Sequence, residues 1–175
     1  MEIVSHDLCI RNAEAKDCEQ LAAWWNDGRV MAHAGFPNGL FTSAEKIRAS
    51  IASDTDDTRR RLVIEYRGQL IGETSYRNRG DGTAEIGIKI CEPDYQEKGL
   101  GRVILSLLIR RLFETRYRKI ALDTNVKNLR AQHVYELLGF RRIRLNVDAW
   151  TDQLGQPQSF YDYELTPREF HDYSV

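Results

Sequence analysis

Residues 95–102 read Tyr-Gln-Glu-Lys-Gly-Leu-Gly-Arg, a glycine-spaced turn between an extended, alternating run (84–91) and a long helical pattern (101–117). A Gly-rich turn between strand and helix aims several backbone N–H groups at one point. It also sets the positive end of a helix dipole beside them, so it suits a phosphate or pyrophosphate. Gly99 and Gly101 lack side chains, which lets such a ligand approach the backbone. The stretch equally reads as the start of a helix with two convenient glycines. Further along, Asn128, Ala131, Tyr135 and Leu138 fall at i, i+3, i+7 and i+10, roughly one face of a helix that stops at Gly139-Phe140. Taken singly these residues have structural readings: Asn128 as an N-cap, Ala131 and Leu138 as core, Tyr135 as an amphipathic boundary residue.

The elements that must position these groups follow from the pattern. Residues 8–12 form a short strand, and Asp17 with Gln20 reads as a capping box opening a helix that carries Leu21, Trp24 and Trp25 and ends near Asn26-Asp27-Gly28. A second capping box is expected at 42–45, before a helix with Ile47 and Ile51. The period then changes from helical to extended. Strands are expected at 62–66, 70–77 and 84–90, joined by turns at Arg67-Gly68-Gln69 and Gly80-Asp81-Gly82. In the third, Ala84, Ile86, Ile88 and Ile90 share one face, and Glu85, Gly87 and Lys89 the other. The helix after the glycine turn has an apolar stripe of Ile104, Leu107, Leu108 and Leu112, with Arg102, Ser106 and Arg110 largely opposite. A strand at 119–123 completes a strand–helix–strand crossover with a parallel pair. After the helix at 128–138, residues 140–150 and 158–165 read as strands, and 167–173 as a last helical turn or two.

Composition narrows the function classes. At 175 residues the chain is expected to form a single domain spanning 1–175. A net charge of -1, without a clustered basic face, argues against a nucleic-acid or membrane surface. No apolar run is long enough to span a bilayer, and residues 1–8 do not read as a signal segment. Cys9, Cys18 and Cys91 are an odd number without metal-ligand spacing, so they read as reduced packing residues of a cytoplasmic protein. His6, His33, His133 and His171 are scattered, and no metal site is expected. The missing Gly-Lys-Ser/Thr run excludes a P-loop.

Gln96-x-x-Gly99-x-Gly101 before a helix, followed by Asn128-x-x-Ala131-x-x-x-Tyr135-x-x-x-Gly139-Phe140, resembles the GNAT superfamily of acyl-CoA-dependent N-acetyltransferases. The order of elements matches along nearly the whole chain. The Trp24-Trp25-Asn26-Asp27 segment and the hairpin around 155–162 make it look most like the branch of ribosomal-protein N-terminal acetyltransferases and their relatives. The resemblance implies an α/β fold with a mixed, mostly antiparallel sheet and helices on both faces. It implies direct acetyl transfer from acetyl-CoA to a primary amine, with no metal. Gln96, Glu97, Lys98, Gly99, Leu100, Gly101 and Arg102 would wrap the pyrophosphate. Ile88 and Ile90 would lie along the pantetheine arm, where a backbone N–H polarises the thioester carbonyl, and Asn128 and Ala131 would touch the arm. The Tyr135 hydroxyl would protonate the leaving thiolate.

A free alkyl amine is mostly protonated at pH 7, so some group must take its proton. Glu85 is the first candidate, beside Gly87, with a solvent-facing carboxylate as its other reading. Glu73, His33 and a water relay also stand. The resemblance places the acceptor near residues 24–41 and 147–160, where Trp24, Asp27, Phe36 and Trp150 offer aromatic surface and charge suited to a cationic amine. A peptide or protein α-amine is favoured over a small amine, and the protein would be a monomer or homodimer. The rival reading is a non-catalytic acyl-CoA-binding module on the same fold.

Overall fold

The computed structural model describes residues 1–174. Strands Glu2–Ser5 (β1) and Leu8–Asn12 (β2) lead into helices Cys18–Asn26 (α1), Gly28–Met31 (α2) and Ala44–Ile51 (α3). Three strands follow, Arg59–Tyr66 (β3), Gln69–Gly80 (β4) and Thr83–Ile90 (β5). Helix Leu100–Phe113 (α4), strand Lys119–Asn125 (β6), helix Leu129–Leu137 (α5) and the strands Arg141–Thr151 (β7) and Pro157–Leu165 (β8) complete the chain. All eight strands share one sheet in the order β1-β2-β3-β4-β5-β6-β8-β7, and only β5 and β6 are parallel. The mixed, mostly antiparallel α/β architecture expected from the sequence is the one observed.

The two faces of the sheet bury different helices. Ala84 and Ile86 belong to the larger core with α4, whose Ile104, Leu107, Leu108 and Leu112 are fully buried, and with Tyr135 and Leu138. On the other face Val63 packs under Leu21 and Trp24 of α1 and Ile47 of α3. The alternation of β5 thus sends its isoleucines toward α4 and Glu85, Gly87 and Lys89 toward α1 and α3.

The feature that makes a site is where pairing stops. β5 and β6 pair only at Thr83–Lys119, Ala84–Ile120 and Glu85–Ala121. Beyond Glu85 each keeps its antiparallel partner on the outer side, β5 with β4 to Ile90 and β6 with β8 to Asn125. With ladder bonds made on those sides, strand twist carries the two apart. The sheet opens as a V, and the β5 edge from Ile86 to Ile90 has no strand partner there.

Several local expectations are corrected. Glu2–Ser5 form an extra strand, β1. Asp17 is not a side-chain cap of α1. Its carboxylate accepts from the Glu14 backbone N–H at 2.8 Å and from Arg11 at 2.8 and 2.9 Å, because a buried acid is satisfied best by a guanidinium fork. Ser43, not Thr42, caps α3, accepting from the Lys46 N–H at 3.3 Å. Ser106 is buried, because its Oγ accepts the N–H of Tyr173 at 2.9 Å. Residues 167–173 form no helix; Phe170 instead packs edge-on to Phe113, with ring centroids 5.9 Å apart. No described helix is long and apolar enough to cross a membrane.

Candidate active site

The V between β5 and β6 is filled by a cavity of about 1000 Å³. At one end lie Gln96, Glu97, Gly99, Gly101 and Arg102 from the turn and α4, with Asn128 and Ala131 from the start of α5. Gly99 is the N-cap of α4 in the left-handed region (φ 75°), and Glu97 is left-handed too (φ 59°). No side chain caps α4 and no acid sits in its first turn, so its leading N–H groups and dipole are available to an anion. The Gln96 amide donates to the Ile90 carbonyl at 2.8 Å, tying the turn to the end of β5. A Cβ built on Gly101 would meet only the tip of Ile90, at 3.9 Å, so the space above it is open. These features fit a pyrophosphate. Ile88 and Ile90 line the cavity next to the turn. Lys98 and Leu100, expected with this group, are not among its lining: Lys98 stands over the Tyr95 ring at 5.8 Å, and Leu100 packs on the core. Asn128 does cap α5, accepting from the Ala131 N–H at 3.2 Å, yet both residues also line the cavity.

Tyr135 stands midway. Its ring is 7% exposed, wedged against Phe140 at 5.8 Å and Tyr163 at 5.7 Å. Among the described residues its hydroxyl makes no hydrogen bond. Burial, then the charges of Asp123 and Tyr163, push its pKa up, so it is a protonated phenol at neutral pH. Asp123, on β6, lines the same cavity and has no hydrogen-bond or ion-pair partner among the described residues. It is exposed to the water of the cavity. Desolvation first, then the carboxylates of Glu85 and Asp162, raise its pKa. The sequence reading missed Asp123. The available signal was its place on the strand that runs parallel to β5, two residues past a position level with Glu85.

Glu85 faces the same side of the sheet but does not line the cavity. It is held by Arg77 at 2.7 Å and Arg79 at 3.1 Å. Glu73 does line it; one oxygen accepts from Trp25 Nε1 at 2.8 Å and Lys89 Nζ at 3.1 Å. His33 lines it as well and is exposed. Burial pushes the Cys91 thiol well up, which suits packing rather than nucleophilic attack. No group of three or more His, Cys, Asp or Glu among the described residues is arranged to hold a metal ion.

The expected acceptor residues stand behind the wall rather than on it. Trp24 is buried and donates to Glu92 at 2.7 Å; its neighbour Trp25 lines the cavity instead, because α1 turns about 100° per residue. Asp27 caps α2 and clasps Arg29 at 2.7 Å. Phe36 lies outside the lining. Trp150 sits on Gly35, whose added Cβ would fall 2.2 Å from the indole, so only glycine fits beneath it. Gln153 donates its N–H to the Gly35 carbonyl at 3.0 Å and its side chain bonds Asn38 and Gly39. The β7–β8 hairpin is thereby seated on the loop after α2.

The fold and the site have known counterparts. A mycothiol acetyltransferase from Cellulomonas flavigena is 29% identical over 144 residues, covering 76% of this chain and 41% of that protein, so the chain spans about two fifths of that relative. The solved spermidine N-acetyltransferase of Vibrio cholerae, in complex with CoA and spermine, superposes with a TM-score of 0.81 at 24% identity, covering 94% of this chain and 98% of that one. A ribosomal-protein-alanine N-acetyltransferase from Brucella melitensis does so with a TM-score of 0.75 at 20% identity, over 90% and 98%. At those identities both show a shared fold. Residues 7–141 match the family model described as an acetyltransferase (GNAT) domain, and the chain belongs to the GNAT acetyltransferase family.

Proposed function

We propose that the protein moves an acetyl group from acetyl-CoA directly to a primary amine, with Tyr135 as general acid and Asp123 as the group that takes the amine's proton. One observation carries this reading. A protonated phenol and an unpaired carboxylate of raised pKa share one cavity with an uncapped helix N-terminus, at the point where β5 and β6 part.

The turn at 96–102 and Arg102 would hold the pyrophosphate of acetyl-CoA, and Asn128 and Ala131 its arm. Acetyl-CoA supplies an activated thioester. The amine lone pair forms the new C–N bond and the C–S bond breaks. The edge of β5 from Ile86 to Ile90 offers backbone N–H groups to the negative charge growing on the carbonyl oxygen. Tyr135 gives its hydroxyl proton to the departing sulfur, and water returns a proton to the phenolate. Asp123 takes the proton the nitrogen must lose and passes it to solvent. Its raised pKa narrows the gap to an amine, whose reference value is about 8 for an α-amine and about 10.4 for lysine. Glu85, fixed by two arginines, acts through its charge on Asp123.

The acceptor favoured is a peptide or protein α-amine. Support comes from the Trp24–Asp27 segment and the seated hairpin, and from the fold shared with an enzyme named for a ribosomal protein. The spermidine enzyme of the same fold keeps small amines in the test. CoA release is measured with α-amino peptides, N-blocked lysine peptides, polyamines and aminoglycosides at equal concentration. Release with peptides is the expected result. Release with no amine, from protein that binds CoA, identifies a binding module.

A further inference from the structure

We propose that the acceptor is a peptide N-terminus with a carboxylate side chain within about its first five residues, recognised by Arg59. This rests on the acetyl-transfer reading above and narrows its substrate.

Charges on the acceptor face are unevenly paired. Across the sheet, Arg61, Ser75 and Gly87 form one row, and Arg59, Arg77 and Glu85 the next. Adjacent strands are about 4.8 Å apart, so the β3 arginines are rooted about 10 Å from β5 and about 14 Å from β6, which carries Asp123. On this face nearly every carboxylate has a cation of its own. Glu73 is bound by Lys89, and Glu85 by Arg77 and Arg79. Asp54 is bound by Arg61, through Nη2 at 2.8 Å, Nε at 2.9 Å and the backbone N–H at 3.0 Å. Burial would raise the Asp54 pKa, but those Arg61 bonds hold it below the ordinary range, so this pair is already complete.

Arg59 is the exception among the cations. It lines the cavity, and its only polar side-chain contact among the described residues is a marginal 3.4 Å one from Nε to Asp54. Its Nη1 and Nη2 have no partner, a guanidinium fork presented to the cavity. The unpaired carboxylate is Asp123, which takes the amine proton. An acceptor therefore meets a lone negative group at its nitrogen and a lone positive fork rooted three strands away, on the order of 14 Å across the sheet. An extended chain covers about 3.3–3.6 Å per residue, so that span is covered by about the first five residues of a peptide. A polyamine would put a second ammonium against the fork, with no spare carboxylate to receive it.

The test uses the full chain with acetyl-CoA and peptides that differ only in Asp, Asn or Lys at one of the second to fifth residues. The expected kcat/KM is about tenfold or more higher for Asp than for Lys, the worth of one charge-assisted bond. The preference should shrink with added salt. Arg59→Gln should bring the Asp-to-Lys ratio toward one, and Arg59→Glu should invert it. Arg61 keeps Asp54 satisfied in both variants, and circular dichroism checks the fold. A ratio near one in the wild type, or one unchanged by Arg59→Glu, overturns the proposal. Transfer to polyamines or lysine side chains but to no α-amino peptide overturns it while acetyl transfer stands. No transfer to any amine overturns both.

Discussion

Tyr135 and Asp123 make opposite demands on their surroundings. In the proposed mechanism the phenol stays protonated until sulfur leaves, which its burial beside a carboxylate favours. Tyr135→Phe keeps the ring contacts with Phe140 and Tyr163, so fold and CoA affinity should persist while turnover drops on the order of 10²–10⁴-fold. An unchanged single-turnover rate would remove Tyr135 from the mechanism. Asp123→Asn should lower turnover most near neutral pH and recover part of it at high pH, where free amine is abundant. Its stability effect has the other sign. A carboxyl whose folded pKa is raised costs nothing below its unfolded value, where both states are protonated, and its full amount above the folded value. Asp123→Asn should therefore raise Tm at pH 7, with the gain closing toward about pH 4. Glu85→Gln separates the two carboxylates. If Glu85 only tunes Asp123, removing its charge shifts the acid limb of kcat/KM to lower pH. A neutral-pH loss recovered at high pH would instead make Glu85 the base.

The turn into α4 is the element that gives the site its anion end. Gly101 is inside the first helical turn and has room above it, so Gly101→Asp should fold. An acid there complements the dipole and adds about 0.3–1 kcal/mol of stability. The same carboxylate would repel the phosphates, so CoA binding by calorimetry should be lost in a protein that melts no lower than wild type. Retained affinity would mean the cofactor lies elsewhere. At the opposite end, the β7–β8 hairpin is pinned by Trp150 on Gly35 and by Gln153 on the 35–39 backbone. That contact fixes the loop carrying His33 and Ala34, which line the acceptor side.

Across the whole molecule, two buried acids join the early segments to the sheet. Asp17 meets Arg11, which also holds Glu65 of β3 at 2.7 Å, and Asp54 meets Arg61. Burial alone would raise the pKa of both acids, but their arginine and backbone bonds bring it below the usual carboxylate range. A depressed folded pKa gives stability that is present above the unfolded value of about 3.9 and is lost as pH falls through the folded value. Melting followed by circular dichroism should show wild type losing stability below about pH 4. Asp17→Asn should be less stable than wild type at pH 7, with the gap narrowing in acid. A gap independent of pH would assign the loss to packing instead.

Much of the candidate site was legible in the sequence because its signals are local. Gly99 and Gly101 mark a backbone conformation, Asn128 to Gly139 a helix face with its stop, and Ala84 to Ile90 a two-residue alternation; each depends on neighbours along the chain. Which residues meet across the cavity depends on strand register and helix phase instead. A turn of about 100° per residue puts Trp25 rather than Trp24 on the wall. Two arginines of the neighbouring strand β4 occupy Glu85, and the parting of β5 from β6 leaves Asp123 in one cavity with Tyr135, without a partner among the described residues. Charge pairing is a long-range choice among many acids and arginines. Only the tertiary structure decided it, because electrostatic partners are selected by distance in space and not by separation in sequence.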